Sequence, residues 1–154
     1  MTQPFVLRGL QVGDIGWVAH RQGILYAQEY GWDGTFEALV AEIAAQFVKN
    51  FDAEWENAWI AEREGQVVGS VFLVKVSEQE AKLRLLYVEP DARGAGLGRR
   101  LTQECIAFAK AKGYAKLTLW TNDILHAARR IYLEAGFVLV SGDLHHSFGA
   151  DLIG

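Results

Sequence analysis

Residues 87–101 read YVEPDARGAGLGRRL. Gly94, Gly96 and Gly98 alternate, with Arg93 ahead of them and Arg99 and Arg100 directly behind. The run that leads in, KLRLLYVEP (82–90), is rich in strand formers and is stopped by Pro90. The run that follows sets Leu97, Leu101, Cys105, Phe108 and Ala109 along one side of a helix and closes at Gly113. A strand, a glycine turn and a helix N-terminus together make an anion site. The first helical turn carries N–H groups without intrahelical acceptors and a partial positive charge, and glycines let a phosphate approach the backbone. The arginines add charge-assisted hydrogen bonds. A plain tight turn is the competing reading of the glycines taken alone. Spacing excludes two other phosphate loops: Arg99 and Leu101 stand where G-x-G-x-x-G needs its last glycine, and Gly98-Arg99-Arg100 replaces the G-K-[ST] of a Walker loop.

The flanks change period around this stretch. FVLRGL (5–10) reads as a short first strand, and Gly13-Asp14 opens a helix through IGWVAHRQGILYAQEYG with Asp14 as cap. Phe36, Leu39, Val40, Ile43, Phe47 and Phe51 recur at three- and four-residue spacing, a second helix with Thr35 as N-cap. AWIAEREGQVVGSVFLVKVS (58–77) gives two strands around Glu64-Gly65, a hairpin signal. Beyond Gly113, KLTLWTN is a strand, ILHAARRIYLEAG a helix, FVLVSG a strand, and HHSFGADLIG an edge strand. The order β-α-α-β-β-β-α-β-α-β(-β) predicts a mixed α/β sheet, antiparallel in its middle, and not a doubly wound parallel fold.

The 154 residues are expected to form one domain, 1–154, since 51% are hydrophobic and 22% charged, as in ordinary globular chains. A net charge of −4 with scattered lysines gives no basic stripe for nucleic acid. The single cysteine, Cys105, can form no internal disulfide and reads as a small buried hydrophobe. With no apolar run near the roughly 20 residues a bilayer requires, and no signal-like N-terminus, a cytoplasmic location without membrane attachment is expected.

LLYVEPDARGAGLGRRL resembles the acyl-CoA pyrophosphate loop of the GNAT superfamily of N-acetyltransferases, with its pattern [R/Q]-x-x-G-x-[G/A], and AARRIYLEAGF (127–137) resembles that family's closing helix, A-x-x-x-Y-x-x-x-G-F. The element order is the family's as well. The sequence is similar to the acetyltransferase half of proteins that fuse a MarR-type winged helix to such a domain, although no winged helix is present here. The resemblance implies a mostly antiparallel sheet of six to seven strands, the fourth and fifth splayed apart, flanked by about four helices. It also implies acetyl-CoA as co-substrate and direct acetyl transfer to a primary amine of a small molecule or protein.

Carried onto this chain, the resemblance gives the amides of residues 94–99 (Gly94, Ala95, Gly96, Leu97, Gly98 and Arg99), with Arg93, to the pyrophosphate. It gives the backbone of Leu86 and Val88 to the pantetheine arm, and makes Tyr132 the general acid. A phenol with pKa about 10 can protonate a departing thiolate whose thiol titrates near 8.5. Periodicity alone reads Tyr132 as a core aromatic, beside Ala128, Ile131 and Ala135. Asn122 either contacts pantetheine or caps the next helix. Leu125 stands where the family commonly has an asparagine seven residues before the tyrosine. His20, Glu29 and Tyr30 lie in the segment that covers the family's acceptor site, and surface or packing roles compete for each. Glu89 faces solvent in this reading. His145 and His146 are adjacent and so point to opposite faces of a strand, and no metal is predicted. A non-catalytic acyl-CoA sensor is the rival function. A homodimer, if formed, would use the C-terminal strands or the apolar helices.

Overall fold

The computed structural model describes residues 5–121, 125–138, 144–147 and 150–153. Along the chain run β1 (Val6–Arg8), α1 (Asp14–Tyr30), α2 (Gly34–Lys49), β2 (Asn57–Arg63), β3 (Gln66–Lys75), β4 (Glu80–Val88), a 3-10 turn (Pro90–Ala92), α3 (Leu97–Lys112), β5 (Lys116–Thr118), α4 (His126–Glu134), β6 (Leu144–Ser147) and β7 (Ala150–Ile153). Five strands form one mixed sheet in the order β1-β2-β3-β4-β5, antiparallel up to β4 and parallel between β4 and β5. The expected sheet of six to seven strands is therefore corrected to five among the described residues. β6 and β7 satisfy each other's backbone groups instead, with Leu144 opposite Ile153 and Ser147 opposite Ala150. Of the strand expected at 137–142, Phe137 and Val138 are not in a strand, and 139–142 lie outside the described residues.

The chain divides into two compact units, Met1–Leu10 with Asp52–Leu119, and Gln11–Phe51 with Trp120–Gly154. The first holds the five-stranded sheet and α3. Its β2–β3 hairpin turns at Glu64 and Gly65, with φ of 54° and 77°. Two consecutive left-handed residues are what a type I′ turn demands, so the Glu-Gly pair fixes the hairpin register. On α3 the apolar stripe is buried as its spacing predicts: Leu97, Leu101, Cys105 and Ala109 face inward, and the Phe108 ring meets Trp59 edge-on at 5.7 Å. Removing each such leucine from water stabilises the fold by about 1.5–3 kcal/mol. The helix approaches β3 closely at Gly69, where a Cβ would stand 3.0 Å from Tyr87 O and 3.1 Å from Leu97 Cδ2. The missing side chain lets the first turn of α3 sit against the sheet, which sets the loop's height above β4.

In the second unit α1 and α2 meet at an aromatic corner. Tyr26 stacks on Phe36 with centroids 5.0 Å apart, Trp32 meets Phe36 edge-on at 4.8 Å, and Tyr30 lies 5.4 Å from Tyr26. Both expected caps differ from the structure. Asp14 is the first helical residue and its carboxylate accepts from Gln11 N–H at 2.6 Å, while Gly13, at φ 99°, is the N-cap. On α2 the cap is Asp33, whose carboxylate accepts both the Thr35 N–H, at 3.0 Å, and the Thr35 hydroxyl. A charged acceptor binds an N–H more strongly than a hydroxyl does, so the aspartate takes the cap. Leu39 and Phe51, expected on the buried stripe of α2, are exposed, whereas Phe36, Val40, Ala44 and Phe47 are buried.

Candidate active site

Among the described residues β4 has a partner along its whole length on one side only. β3 accompanies it from Ala81 to Val88, while β5 pairs only at Glu80, Ala81 and Lys82, opposite Lys116, Leu117 and Thr118. The paired end is fastened by Thr118, whose hydroxyl donates to Glu80 Oε2 at 2.8 Å, with Lys116 Nζ 3.5 Å from Oε1. The Thr118 hydrogen bond, and then the Lys116 charge, hold the Glu80 carboxyl below the usual carboxylate range. Past Lys82 the two strands part.

Within the parted stretch β4 bulges. Ser70 faces Tyr87 and Phe72 faces Arg84, so one β3 residue, Val71, opposes two on β4, Leu85 and Leu86. Leu85 takes φ 54°, a left-handed conformation that costs a non-glycine residue roughly 1–2 kcal/mol. Beyond the bulge, Glu89 donates its N–H to Val68 O at 2.8 Å. That bond turns the backbone of Glu89 and Tyr87 toward β3. By alternation, Val88 and Leu86 carry their N–H and C=O toward the edge that β5 has left.

The glycine loop continues from this edge. Gly94 and Gly96 have φ of 84° and 80°, and a Cβ at either would have no neighbour within 4 Å. Gly96 is the N-cap of α3, and among the described residues no side chain caps the helix. The first intrahelical bond is Arg100 N–H to Gly96 O at 3.0 Å, which leaves the Leu97 and Gly98 amides ahead of the helical ladder. Arg93, Arg99 and Arg100 are exposed around the turn. Arg100 also reaches back to Phe5 O at 3.1 Å, and Arg63 stands 3.5 Å from Asp91 in the 3-10 turn. Open glycines, an uncapped helix N-terminus and cations fit a diphosphate, and a bare strand edge leading into them fits an extended arm carrying amide groups.

Other candidates are placed variously. Tyr132 is buried on α4, edge-on to Phe137 at 5.9 Å, and its carbonyl accepts the Phe137 N–H at 3.0 Å. Asn122 lies outside the described residues, as do the side chains of His145 and His146. His20 and Glu29 are exposed on α1, and nine residues along a helix separate them by roughly 13 Å. They do not converge. Tyr30 belongs to the aromatic corner. Glu89 is corrected: it is half-buried and accepts a hydrogen bond from the buried Tyr87 hydroxyl at 3.1 Å. Cys105 is fully buried, and burial, then Glu104, pushes its thiol up, away from nucleophilic use. Among the described residues no group of three or more His, Cys, Asp or Glu is placed to hold a metal ion, and no helix is long and apolar enough to cross a membrane.

The bulged strand, open glycine loop and helix N-terminus define an α/β domain whose site suits a ligand with a diphosphate and an extended arm. The chain belongs to the acetyltransferase (GNAT) family, whose model matches residues 25–137. Over 113 residues it is 31% identical to an uncharacterized N-acetyltransferase of Schizosaccharomyces pombe, covering 73% of this chain and 69% of that one. It is 30% identical over 95 residues to N-acetyltransferase family 8 member 3 of Rattus norvegicus, covering 58% of this chain but 41% of the rat protein's length. The fold matches that of the Salmonella typhimurium protein yncA, solved with its cofactor acetyl-CoA, at a TM-score of 0.74 and 17% identity, over 97% of this chain and 89% of that one. The chain is thus a domain of the acetyltransferase (GNAT) family.

Proposed function

We propose that this chain, as one domain spanning 1–154, transfers an acetyl group from acetyl-CoA directly to a primary amine of a small molecule or a protein. The observation that carries the reading is the continuity of an unpaired β4 edge with an open, uncapped glycine loop. When bound, acetyl-CoA supplies the acetyl group as a reactive thioester. The amides of Gly94 through Arg99, with Arg93, hold the pyrophosphate through their N–H groups and the α3 dipole. The backbone of Leu86 and Val88 pairs with the pantetheine arm as an added strand would, which fixes the acyl group at the bulge. Tyr132 gives its phenolic proton to the departing sulfur, and Asn122 is assigned a further contact with the arm. His20, Glu29 and Tyr30 are assigned to the acceptor side, where aromatic and acidic groups suit a cationic amine. A cytoplasmic location and, where copies pair, contact through the C-terminal strands or the apolar helices belong to the same reading.

A sensor that binds acyl-CoA without turnover rests on the similarity to the acetyltransferase half of MarR/GNAT fusions. The relatives' names favour turnover. Steady-state assay of Tyr132→Phe against a panel of amines separates the two. The rate constant is expected to fall roughly 100-fold or more, with acetyl-CoA affinity by calorimetry within about twofold of wild type. Equal rates would remove Tyr132 from the chemistry. No turnover by the wild type on any amine, with acetyl-CoA still bound, would select the sensor.

A further inference from the structure

Ser70 is the one hydroxyl in the apolar run Val67–Val74 of β3, and it is completely buried. A buried hydroxyl needs a partner, and an alanine would fill the same place without that demand. The partner is the backbone of the bulge: Ser70 Oγ donates to Leu85 O at 3.3 Å. Leu85 is the residue held at φ 54°, and the register slips between Ser70 and Phe72. A hydroxyl at the point of slip therefore holds a backbone conformation that leucine does not favour. Without it, the nearest relaxed arrangement is a regular ladder, in which the extra residue is lost and the edge groups of Leu86 change sides.

We propose that Ser70 is a positioning residue for the pantetheine arm: by fastening Leu85 O it keeps β4 bulged and so keeps the Leu86 and Val88 backbone aimed at the arm. The inference rests on the co-substrate reading above. It assigns Ser70 no contact with the ligand. The glycine loop lies past Pro90 and has its own supports, so the effect of Ser70 falls on the arm and not on the diphosphate.

The test is calorimetric titration of two probes, acetyl-CoA and 3′-phospho-ADP, the latter carrying the diphosphate without the arm. Wild type comes first: if it binds neither, the co-substrate reading fails and this proposal falls with it. With Ser70→Ala, acetyl-CoA affinity is expected to drop about 3- to 10-fold, the worth of one hydrogen bond, while 3′-phospho-ADP stays within about twofold. Equal weakening of both probes would make Ser70 a general support of the fold and overturn the proposal, as would no weakening of either. Leu85→Gly supplies the second arm, since glycine adopts positive φ without strain. In the Leu85→Gly background, Ser70→Ala should change acetyl-CoA affinity by less than about twofold. An undiminished loss there would show that Ser70 acts otherwise than through Leu85. If Ser70→Ala alone does not fold, the Leu85→Gly pair decides by itself, because relief of the strain predicts a folded, acetyl-CoA-binding double variant, and its failure to fold would sink the idea.

Discussion

Gly96, ahead of α3, stands at φ 80° with nothing within 4 Å of where a Cβ would be, whereas Gly23, inside α1, has Glu37 Cγ 2.8 Å from that position. The same residue type is used in opposite ways in the two regions. At Gly23 the room given up by the side chain is filled by the neighbouring helix, so the glycine lets α1 and α2 approach. At Gly96 the room stays open beside backbone amides, so the glycine admits something from outside the chain. What surrounds a glycine tells packing from binding better than its presence in a motif does.

Gly96→Val is the strongest way to break that contrast. A β-branched residue at this φ is strained and its methyl groups fill the open side of the loop, so acetyl-CoA Kd is expected to rise on the order of 100-fold. Calorimetry reads it, and an unaltered Kd would detach the loop from the co-substrate. Gly23→Ala should do the reverse. The new methyl meets Glu37 Cβ at 2.9 Å as well as Cγ, so rotation of the glutamate tip does not clear it, and the two helices must move apart. Overpacking costs about 1–3 kcal/mol, offset in part by the roughly 1 kcal/mol helix preference of alanine over glycine. The thermal midpoint should fall while acetyl-CoA affinity stays within about twofold. A raised midpoint would mean the helix preference wins and the corner is looser than its distances imply.

The smallest effect concerns the fastened end of β4. Because the Thr118 hydrogen bond, and then Lys116, lower the folded pKa of Glu80, its ionised form contributes stability above the unfolded carboxylate pKa near 4.3. That contribution is lost as pH falls through the lower folded value. Thr118→Val should therefore narrow the stability difference between pH 7 and pH 3 in denaturant titrations. An unchanged pH dependence would show that Glu80 is not what fastens β5.

Much of the glycine loop and of the elements around it was legible because backbone needs dictate residue types. Positive φ calls for glycine, a type I′ hairpin for a pair such as Glu64-Gly65, and a strand stop for Pro90, so the order of elements and the loop follow from spacing. The bulge was illegible for the converse reason. Leu85 sits at φ 54° with a side chain that gives no hint of it, and the conformation is imposed by Ser70 from another strand. Gly69-Ser70 was the available signal, since glycine inside an apolar strand marks a close backbone approach. The α2 cap failed on competition: Thr35 was a sound cap in isolation, but Asp33 lay two residues ahead with a charged acceptor. The strand count failed because an alternating tail reports strand, not partner, and β6 and β7 pair with each other. The residues proposed for the acceptor side, His20, Glu29 and Tyr30, depend on side-chain identity and not on backbone needs, so they carried no spacing rule to read.

The burial of Cys105 has a practical side. Its sulfur is fully covered, and its raised pKa keeps it protonated at the pH of ordinary assays. The native protein is accordingly expected to be silent toward thiol-specific chromogenic reagents, so colour developed in an acetyl-CoA assay would report released coenzyme A alone. The same silence makes the chain's one cysteine an internal gauge of integrity, since a stoichiometric thiol signal without substrate marks the fraction of the sample that has unfolded.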